Sequence, residues 1–305
     1  MEHSFVVTSS PHIKSPTTTT RIMLDVMIAL CPSLAASVWW FGPRTLLMTA
    51  ISVICCVGCE WGAQKLFRRP STISDLSAVV TGMLIAFNLP STAPLWLLPI
   101  GAIFAIVFTK QLFGGIGQNF ANPAIVARIV LFLSFASHMT AYTAPGAWRS
   151  AADAVTTATP MQESAVLPSL WEMFIGQRGG CFGETCALAL LVGGIYLVVR
   201  RVISPLIPLC YIGSTTLLCW LFGADPLYSI LSGGLLLGAI FMATDYSTTP
   251  VTKAGKVIFA LGCGLVTAVI RSFGAYAEGV SFAILLMNIL TPLIDRYVRP
   301  RPFGA

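Results

Sequence analysis

Long apolar stretches recur along this chain and are separated by short polar breaks. A helix needs about 20 mostly apolar residues to cross the hydrocarbon core of a bilayer, and roughly ten stretches here have that character. The pattern therefore predicts an all-α integral membrane protein with about ten transmembrane helices. The predicted spans are 22–41, 45–65, 75–88, 94–113, 120–137, 183–201, 205–222, 227–244, 254–273 and 279–297.

The composition agrees with a membrane protein. Hydrophobic residues make up 56% and charged residues 10% of the 305 positions, and the mean hydropathy is +0.82. That balance leaves too little polar surface for a soluble fold of this size. The first 21 residues are polar and lack a short apolar stretch followed by a cleavage site, so we expect this segment to be retained.

Basic residues are distributed unevenly among the segments that connect the predicted spans. If the N-terminus is cytoplasmic, thirteen Lys and Arg, including Lys110, lie in cytoplasmic segments and four in external ones. Because Lys and Arg accumulate on the cytoplasmic side, both termini are predicted to be cytoplasmic. The net charge of +6 follows from this asymmetry and from contact with anionic membrane lipid, so it gives no reason to expect a nucleic-acid partner. The four external residues are Arg44, Arg149, Arg178 and Arg271.

The two halves of the chain share a pattern of breaks. In each half the third span is short and ends in a polar, helix-breaking stretch, which is Asn88–Thr92 in the first half and Thr244–Pro250 in the second. An odd number of spans per half predicts two inverted five-helix repeats. The predicted boundaries are 1–21 for a cytoplasmic N-terminal segment, 22–137 for the first repeat, 138–182 for an external loop, 183–297 for the second repeat and 298–305 for a cytoplasmic tail.

Interrupted spans at matching positions of inverted repeats indicate a central site, because free backbone groups and half-helix ends meet there. The segment Gln111–Ala124 contributes glycines and amides to this site, and carboxylates within a bilayer are costly unless they have a role. A helix–loop–helix turn explains the glycines equally well, and structural ion pairing is an equal alternative for Asp25. The candidates for a flavin or ion pathway are Asp25, Asn119, Asn122, Asp245 and Thr248.

Other polar residues in the spans receive ordinary structural interpretations. Glu60 and Asp295 are predicted to be solvated near the cytoplasmic ends of their helices. Ser232-Gly233-Gly234 is predicted to allow close helix packing rather than to contact a ligand.

The nine cysteines do not form a metal-binding pattern. Cys56 and Cys59 make a CxxC pair inside an apolar helix, with no second pair at ligand spacing, so no metal site is predicted there. Cys181 and Cys186 flank the sixth span, and a disulfide between them is left open.

The long connection between the fifth and sixth spans carries the polar segment Asp153–Pro160. A run of Thr and Ala before Pro is typical of an exposed turn, and composition alone favours that interpretation. The predicted topology places this segment outside the cytoplasmic membrane.

Several motifs appear along the chain in the order typical of one family. The whole chain resembles the NqrB/RnfD family of membrane subunits, whose members belong to sodium-pumping NADH:quinone reductase and to the Rnf complex, and its length is closer to the Rnf members. The motifs are Ser9–Lys14, Gln111–Ala124, Thr156–Pro160, Gly183–Thr185, Phe241–Asp245 and Glu278–Val280.

The resemblance implies that flavin mononucleotide (FMN) is joined covalently by a phosphoester to Thr159, the last residue of a motif usually written Ser/Thr-Gly-Ala-Thr. Thr156, Thr157 and Ala158 occupy the other motif positions, with Thr157 where Gly is usual, and Asp153 also fits. The nucleotide is delivered by a separate flavin transferase outside the cytoplasmic membrane. The resemblance leaves room for a second, non-covalent flavin such as riboflavin at the repeat interface.

A phosphodiester on Thr159 would carry one negative charge. As a hypothesis, Arg149 or Arg178 neutralises this charge, since basic residues are scarce on the predicted external face.

The function implied is electron transfer in the bacterial inner membrane, as one subunit of an ion-translocating ferredoxin:NAD oxidoreductase that is coupled to Na⁺ or H⁺ transport. The chain would supply no catalytic residue and would not be active alone. The partners implied are the outer-facing flavoprotein RnfG, the membrane proteins RnfA and RnfE with an iron–sulfur centre, the iron–sulfur protein RnfB, the NADH-binding protein RnfC and membrane lipid. The rival interpretation is a non-redox channel or transporter similar to urea channels, which would need no acceptor Thr.

Overall fold

The structure is a computed structural model that describes residues 17–149, 156–157, 168–274 and 279–299, with residues 156–157 described by their backbone alone. Within these ranges the chain is mostly helical. The predicted attachment residue Thr159 and its neighbours Asp153 and Ala158 lie outside the described residues.

Helices in the first half coincide with the first five predicted spans. Helix α5 begins with Pro123 in its first turn, and the Asn122 side chain caps it by accepting from the N–H groups of Ala124 and Ile125. Helix α3 stops at Phe87, three residues before Pro90, which cannot donate a backbone hydrogen bond. The helices are α1 Thr19–Phe41, α2 Arg44–Leu66, α3 Ser77–Phe87, α4 Leu97–Ala102 continued by a π-helix Ile103–Gln111, and α5 Pro123–Ser134.

The connection between the halves contains short elements. A helical turn, α6, spans Ala136–Met139, and strand β1, Tyr142–Thr143, pairs antiparallel with strand β2, Thr156–Thr157. Helix α7 spans Leu170–Ile175 and begins with a capping box between Ser169 and Glu172.

The second half contains the helices that match spans six to ten. The predicted eighth span is a broken element rather than one helix, because Ser232–Gly234 separates α10 from α11. The helices are α8 Ala187–Val199, α9 Leu206–Leu221, α10 Pro226–Leu231, α11 Leu235–Leu237 continued by a π-helix Gly238–Met242, α12 Lys253–Phe273 and α13 Val280–Tyr297.

Four helices in the described part of the chain are both long and apolar enough to cross a membrane, namely α1, α2, α12 and α13. The remaining apolar helices are shorter. Helices α3, α5, α8 and α9 and the combined α4 and π-helix have 10 to 17 residues each.

Helices from the two halves pack against each other in the core. Helix α1 packs on α8 and α5 packs on α13, while α2 packs on α3 and α9 on α12. Glycine allows the closest approach: a Cβ atom on Gly82 would lie 2.7 Å from Val53 Cα, and one on Gly183 would overlap Phe87. Small residues at such contacts let helices associate closely in a bilayer.

Hydrogen bonds identify which helix ends lie together at one end of the bundle, here called the basic pole. Arg200 at the end of α8 binds Asp25 near the start of α1, and Arg69 after α2 donates to the carbonyl of Gln111 (2.7 Å). Thr20 Oγ1 donates to the carbonyl of Ser74 (3.2 Å).

The opposite end is here called the loop pole. Trp40 near the end of α1 donates to the carbonyl of Ile175 (3.2 Å), and Arg149 donates to the carbonyl of Trp39 (3.0 Å). Arg44 at the start of α2 donates to the carbonyl of Ala93 (3.1 Å).

Candidate functional site

A cleft enters the bundle at the basic pole. Its cavity has a volume of about 100 Å³ and lies between α1, α3, the segment after the first π-helix and the segment after the second. Its wall is apolar at Leu84, Leu197 and Phe241, and polar groups are confined to a few places. Small-molecule sites have this character, with apolar walls and a few oriented polar groups.

The candidate residues Asn119, Asn122 and Asp245 all line this cleft. Thr248 is tied to the same place, because its hydroxyl donates to Asp245 Oδ2 (3.3 Å). Four of the five candidate pathway residues therefore converge, although they come from segments more than 100 positions apart in the chain, since 245 − 122 = 123.

The asparagines join the two interrupted regions. Asn119 Nδ2 donates to Ser247 Oγ (3.3 Å), and Asn122 Nδ2 donates to the carbonyl of Met242 (3.1 Å) at the end of the second π-helix. Asn119 Oδ1 is buried and has no hydrogen-bond partner among the described residues. An acceptor of this kind is available to a ligand that carries an N–H group.

Asn288 of α13 supports the same junction. With its amide nitrogen facing Thr248, it donates to the Thr248 carbonyl (3.2 Å) and accepts from the Asn122 N–H (3.1 Å). Thr291 Oγ1 also donates to the Thr248 carbonyl (2.9 Å). Helix α13 therefore provides hydrogen-bond partners for the backbone at the helix interruptions near Asn122 and Thr248.

Asp245 is held by its own turn. Its Oδ2 accepts from the hydroxyl of Ser247 (3.0 Å) as well as from that of Thr248, and its carbonyl accepts from Thr249 Oγ1 (2.9 Å). No cation lies within salt-bridge distance of this carboxylate in the described part of the chain. Hydroxyl groups and the backbone N–H of Ser247, which donates to Oδ1 (3.5 Å), hold it at the edge of the cleft.

Asp25 is separate from that junction. Arg200 Nη2 lies 3.3 Å from both of its carboxylate oxygens, and Tyr196 Oη donates to Oδ1 (3.0 Å). These contacts give Asp25 a structural ion pair between α1 and α8. It lines a neighbouring recess rather than the cleft.

The expectation that Glu60 is solvated is wrong. Glu60 is completely buried, and Lys110 Nζ lies 2.6 Å from its Oε1. Lys110 also donates to Ser77 Oγ (2.6 Å), and Gln111 Nε2 donates to Glu60 Oε1 (2.9 Å). Burial follows because α2 packs on both α3 and the first π-helix, which closes over the carboxylate. This group is here called the lysine cluster.

Lys110 and Ser77 also line the cleft, so the lysine cluster supplies its one buried cation among the described lining residues. Sequence reasoning assigned Lys110 to a cytoplasmic segment. The position of Lys110 inside the predicted span 94–113 was a usable signal, because a charge within a span requires a partner.

A second buried group, here called the arginine cluster, was also missed. Arg128 Nη1 lies 3.7 Å from Glu184 Oε2 and donates to Asn88 Oδ1, and its Nη2 lies 3.9 Å from Cys181 Sγ. Arg178 donates to the carbonyl of Glu184 (2.8 Å). Arg128 lies at the centre of the predicted span 120–137, where an arginine is itself a signal.

The glycine break in the predicted eighth span surrounds the arginine cluster. Arg178 Nη2 donates to the Gly233 carbonyl (3.3 Å), and a Cβ on Gly234 would lie 2.7 Å from Glu184 Oε2. Ser232-Gly233-Gly234 was predicted to allow close helix packing, but it interrupts the span instead, and the atoms packed against Gly234 belong to the buried side chains of Glu184 and Arg128.

The two arginines proposed to neutralise a phosphodiester have different surroundings in the structure. Arg178 is buried, and backbone carbonyls and the neighbourhood of Glu184 occupy its guanidinium, which argues against that role. Arg149 is exposed and stacks against Trp39 and Trp148. Arg149 thus remains available in this hypothesis.

The start of the Thr156–Pro160 motif and the segment before it are anchored at the loop pole. Strand β1 pairs with Thr156–Thr157, Ser91 and Thr143 share a hydrogen bond (2.7 Å), and Thr92 Oγ1 donates to the carbonyl of Ala141 (2.5 Å). The polar break after α3 therefore holds the strand pair. Cys181 and Cys186 are both free thiols in the structure.

Two kinds of comparison with known proteins give the same result. The family described as NQR2, RnfD, RnfE matches residues 6–304. A protein of Acetobacterium woodii, named as the D subunit of a Na(+)-translocating ferredoxin:NAD(+) oxidoreductase complex, is 48% identical, with 100% of this chain and 96% of that protein covered.

Further relatives carry related names. A Clostridium ljungdahlii protein, named as the D subunit of a proton-translocating ferredoxin:NAD(+) oxidoreductase complex, is 39% identical, with 99% of this chain and 96% of that protein covered. An Escherichia fergusonii protein, named as the D subunit of an ion-translocating oxidoreductase complex, is 36% identical, with 98% of each covered.

Proposed function

Because the chain belongs to the NQR2, RnfD, RnfE family, we propose that it is the membrane electron-transfer subunit of an ion-translocating ferredoxin:NAD oxidoreductase complex. The observation that carries this proposal is the full-length similarity to proteins named as the D subunits of such complexes, together with the Thr156–Pro160 motif in this sequence. The chain acts with its partner subunits and supplies no catalytic side chain of its own.

The proposed covalent cofactor is FMN on Thr159. A Thr hydroxyl is a weak nucleophile without activation, so the transferase supplies the chemistry and the chain supplies an accessible acceptor. The pairing of Thr156–Thr157 with β1 supports this role, because it ties the chain just before the acceptor to the loop pole. FMN, when bound, supplies the electron chemistry, while the protein sets its position.

The cleft is the proposed site of a second, non-covalent flavin such as riboflavin. An isoalloxazine ring is flat and apolar, with one N–H donor and two carbonyl acceptors on the edge of its pyrimidine part. The cleft offers apolar walls, the unpartnered acceptor Asn119 Oδ1 and the donor Lys110 Nζ, so its residues suit such a ring. Lys110 and Asn119 would orient the ring, and the apolar walls would exclude water.

The proposed architecture is two inverted five-helix repeats with both termini cytoplasmic. The offset between Pro90 and Pro250 (250 − 90 = 160) carries α1, α2 and α5 onto ranges that overlap α8, α9 and α13. The contacts of α1 with α8 and of α5 with α13 then join equivalent helices, which supports a twofold relation. Under this topology the basic pole faces the cytoplasm of a bacterial inner membrane.

Na⁺ and H⁺ both remain candidates for the coupled ion. The Acetobacterium relative is named Na(+)-translocating and the Clostridium relative proton-translocating. Asp245, with Ser247 and Thr248 hydroxyls around it, is the proposed ion-linked carboxylate of the cleft. The rival function is a non-redox channel, and a polar cleft in a helical bundle would also suit it.

The proposed partners are the other proteins of the complex, in the roles that the resemblance implies. They comprise RnfG outside the membrane, RnfA and RnfE within it, and RnfB and RnfC on the cytoplasmic side. The flavin transferase is a further, transient partner.

Detection of a covalent flavin would distinguish the proposed redox function from the rival function as a channel. The chain is expressed with its transferase, and a denaturing gel is viewed under ultraviolet light. We expect a fluorescent wild-type band, no fluorescence for Thr159→Ala, and retained fluorescence for the matched control Thr140→Ala, an exposed Thr outside the motif. A wild-type band without fluorescence, or an unmodified Thr159 peptide in mass spectrometry, would overturn the covalent assignment.

A further inference from the structure

A recess at the basic pole contains more positive than negative charge. It is lined by Arg21, Arg200 and Arg201, and by one carboxylate, Asp25, which is already paired with Arg200. Three arginines against one aspartate leave two formal positive charges. The recess and the cleft are separated where Tyr246 donates to the carbonyl of Val202.

An apolar groove lies on the other side of the turn that follows α8, which is formed by residues 199–203. It runs between α8 and α9, has a volume of about 240 Å³, and every residue that lines it is apolar or glycine. Alternate sides of the turn serve the two depressions: Arg200, Arg201 and Val202 line the charged recess, while Val199 and Ile203 line the groove. The turn formed by residues 199–203 therefore lines the cationic recess on one side and the apolar groove on the other.

The turn itself is shaped to present Arg201. This residue adopts φ 57°, a left-handed conformation that is unfavourable for residues with a Cβ atom and that usually selects glycine after a helix. The Arg201 side chain is exposed. The exposed Arg201 side chain adds a cation to the lining of the recess.

The depth of the turn also suits a lipid. Helix α8 has 13 residues and so is about 20 Å long, whereas the hydrocarbon core is about 30 Å thick. A helix this short brings its flanking turn below the usual level of the headgroups unless the bilayer adapts. A headgroup held at this turn keeps its acyl chain alongside the groove.

We propose that this turn forms a binding site for an anionic phospholipid. The phosphate is bound by Arg21 and Arg201, with Arg200 shared between the lipid and Asp25. One acyl chain lies in the groove between α8 and α9, against Ile195 and Leu209. Basic pockets between helices at the cytoplasmic side recognise anionic headgroups in this way. The lipid site does not depend on either flavin.

The test compares the full chain in nanodiscs of phosphatidylcholine alone and with phosphatidylglycerol added, and native mass spectrometry counts retained lipid. For Arg21→Gln/Arg201→Gln we expect affinity for phosphatidylglycerol to fall about thirtyfold, or about 2 kcal/mol, because each basic side chain near the surface contributes about 1 kcal/mol. Lys253→Gln, at the same pole but outside the recess, is the matched control and should retain wild-type affinity.

A second pair of variants tests the groove. Ile195→Trp fills it and should release the lipid, whereas Ile54→Trp, an equally exposed isoleucine on α2, should not. Addition of inorganic phosphate should not replace the lipid, because phosphate has no acyl chain.

Three outcomes would overturn the lipid site. One is equal lipid retention by the wild type and the double arginine variant. Another is retention that appears only after residues 2–16 are removed, which would assign the recess to the chain's own N-terminal segment. The third is equal lipid loss in Ile195→Trp and Ile54→Trp, which would remove the groove from the site.

Discussion

The lysine cluster and the arginine cluster differ in how their buried charges are balanced. Lys110 and Glu60 form a one-to-one pair, and amide groups complete it. Glu184 is the single carboxylate near two arginines: Arg128 Nη1 lies 3.7 Å from its Oε2, whereas Arg178 donates to the backbone carbonyls of Glu184, Thr185 and Gly233. The first cluster borders a cleft, while the second fills the space where α3 and the predicted eighth span are interrupted.

The lysine cluster and the arginine cluster therefore use buried charge in two different ways. A balanced pair at a cleft places its cation in the lining of that cleft, as Lys110 shows. An unbalanced cluster supported by carbonyls fixes broken helices, because the guanidinium groups satisfy backbone acceptors that a helix break leaves free. The cost of losing one member should therefore be largest where a single carboxylate serves two cations.

Glu184→Gln should have the largest effect on stability. It leaves Arg128 and Arg178 buried without a counter-charge, and removal of one partner from a buried ion pair typically costs about 3–5 kcal/mol. The free energy of unfolding can be measured by titration with sodium dodecyl sulfate in mixed micelles. Glu172→Gln, the same change on the exposed start of α7, should have a much smaller effect, because water solvates that side chain. Equal losses of unfolding free energy for the two variants would contradict the idea that buried charges stabilise the helix break.

Lys110→Met should cost less, about 2–3 kcal/mol, because Gln111 still donates to Glu60 after the lysine is removed. The double variant Glu60→Gln/Lys110→Met should recover part of this loss, since no buried charge remains unpaired. The same unfolding titration measures the wild type, Glu60→Gln, Lys110→Met and the double variant, and the double-mutant cycle gives the coupling. Additive losses would show that the two side chains do not act as a pair. The exposed Lys65→Met is the control.

Asn119→Ala should have the smallest effect on stability, about 1 kcal/mol, because one hydrogen bond to Ser247 is lost. If the cleft binds a non-covalent flavin, this variant should retain less flavin after purification, measured by absorbance of the acid-soluble fraction. Gln118→Ala, an exposed amide on the same segment, should retain the wild-type amount. A wild-type amount of flavin in Asn119→Ala would remove Asn119 from the site.

Local patterns in the sequence specify some features of this fold and not others. Each predicted span contains a helix, since an apolar segment in lipid must satisfy its backbone internally. The polar breaks at Asn88 and Thr244 also marked places where helices end. The prediction for Glu60 failed because position near a helix end does not tell whether another helix covers the side chain.

The sequence by itself determined the membrane class, the helix positions, the breaks and the family motifs, because these depend on local hydropathy, proline and glycine. Tertiary structure alone decided that Asn119, Asn122, Asp245 and Thr248 share one place, that Lys110 pairs with Glu60, and that Arg128 meets Glu184. The contacts of Lys110 with Glu60, of Arg128 with Glu184 and of the asparagines with the segment around Asp245 join residues 50 or more positions apart, and burial of a charge depends on which distant helix packs over it.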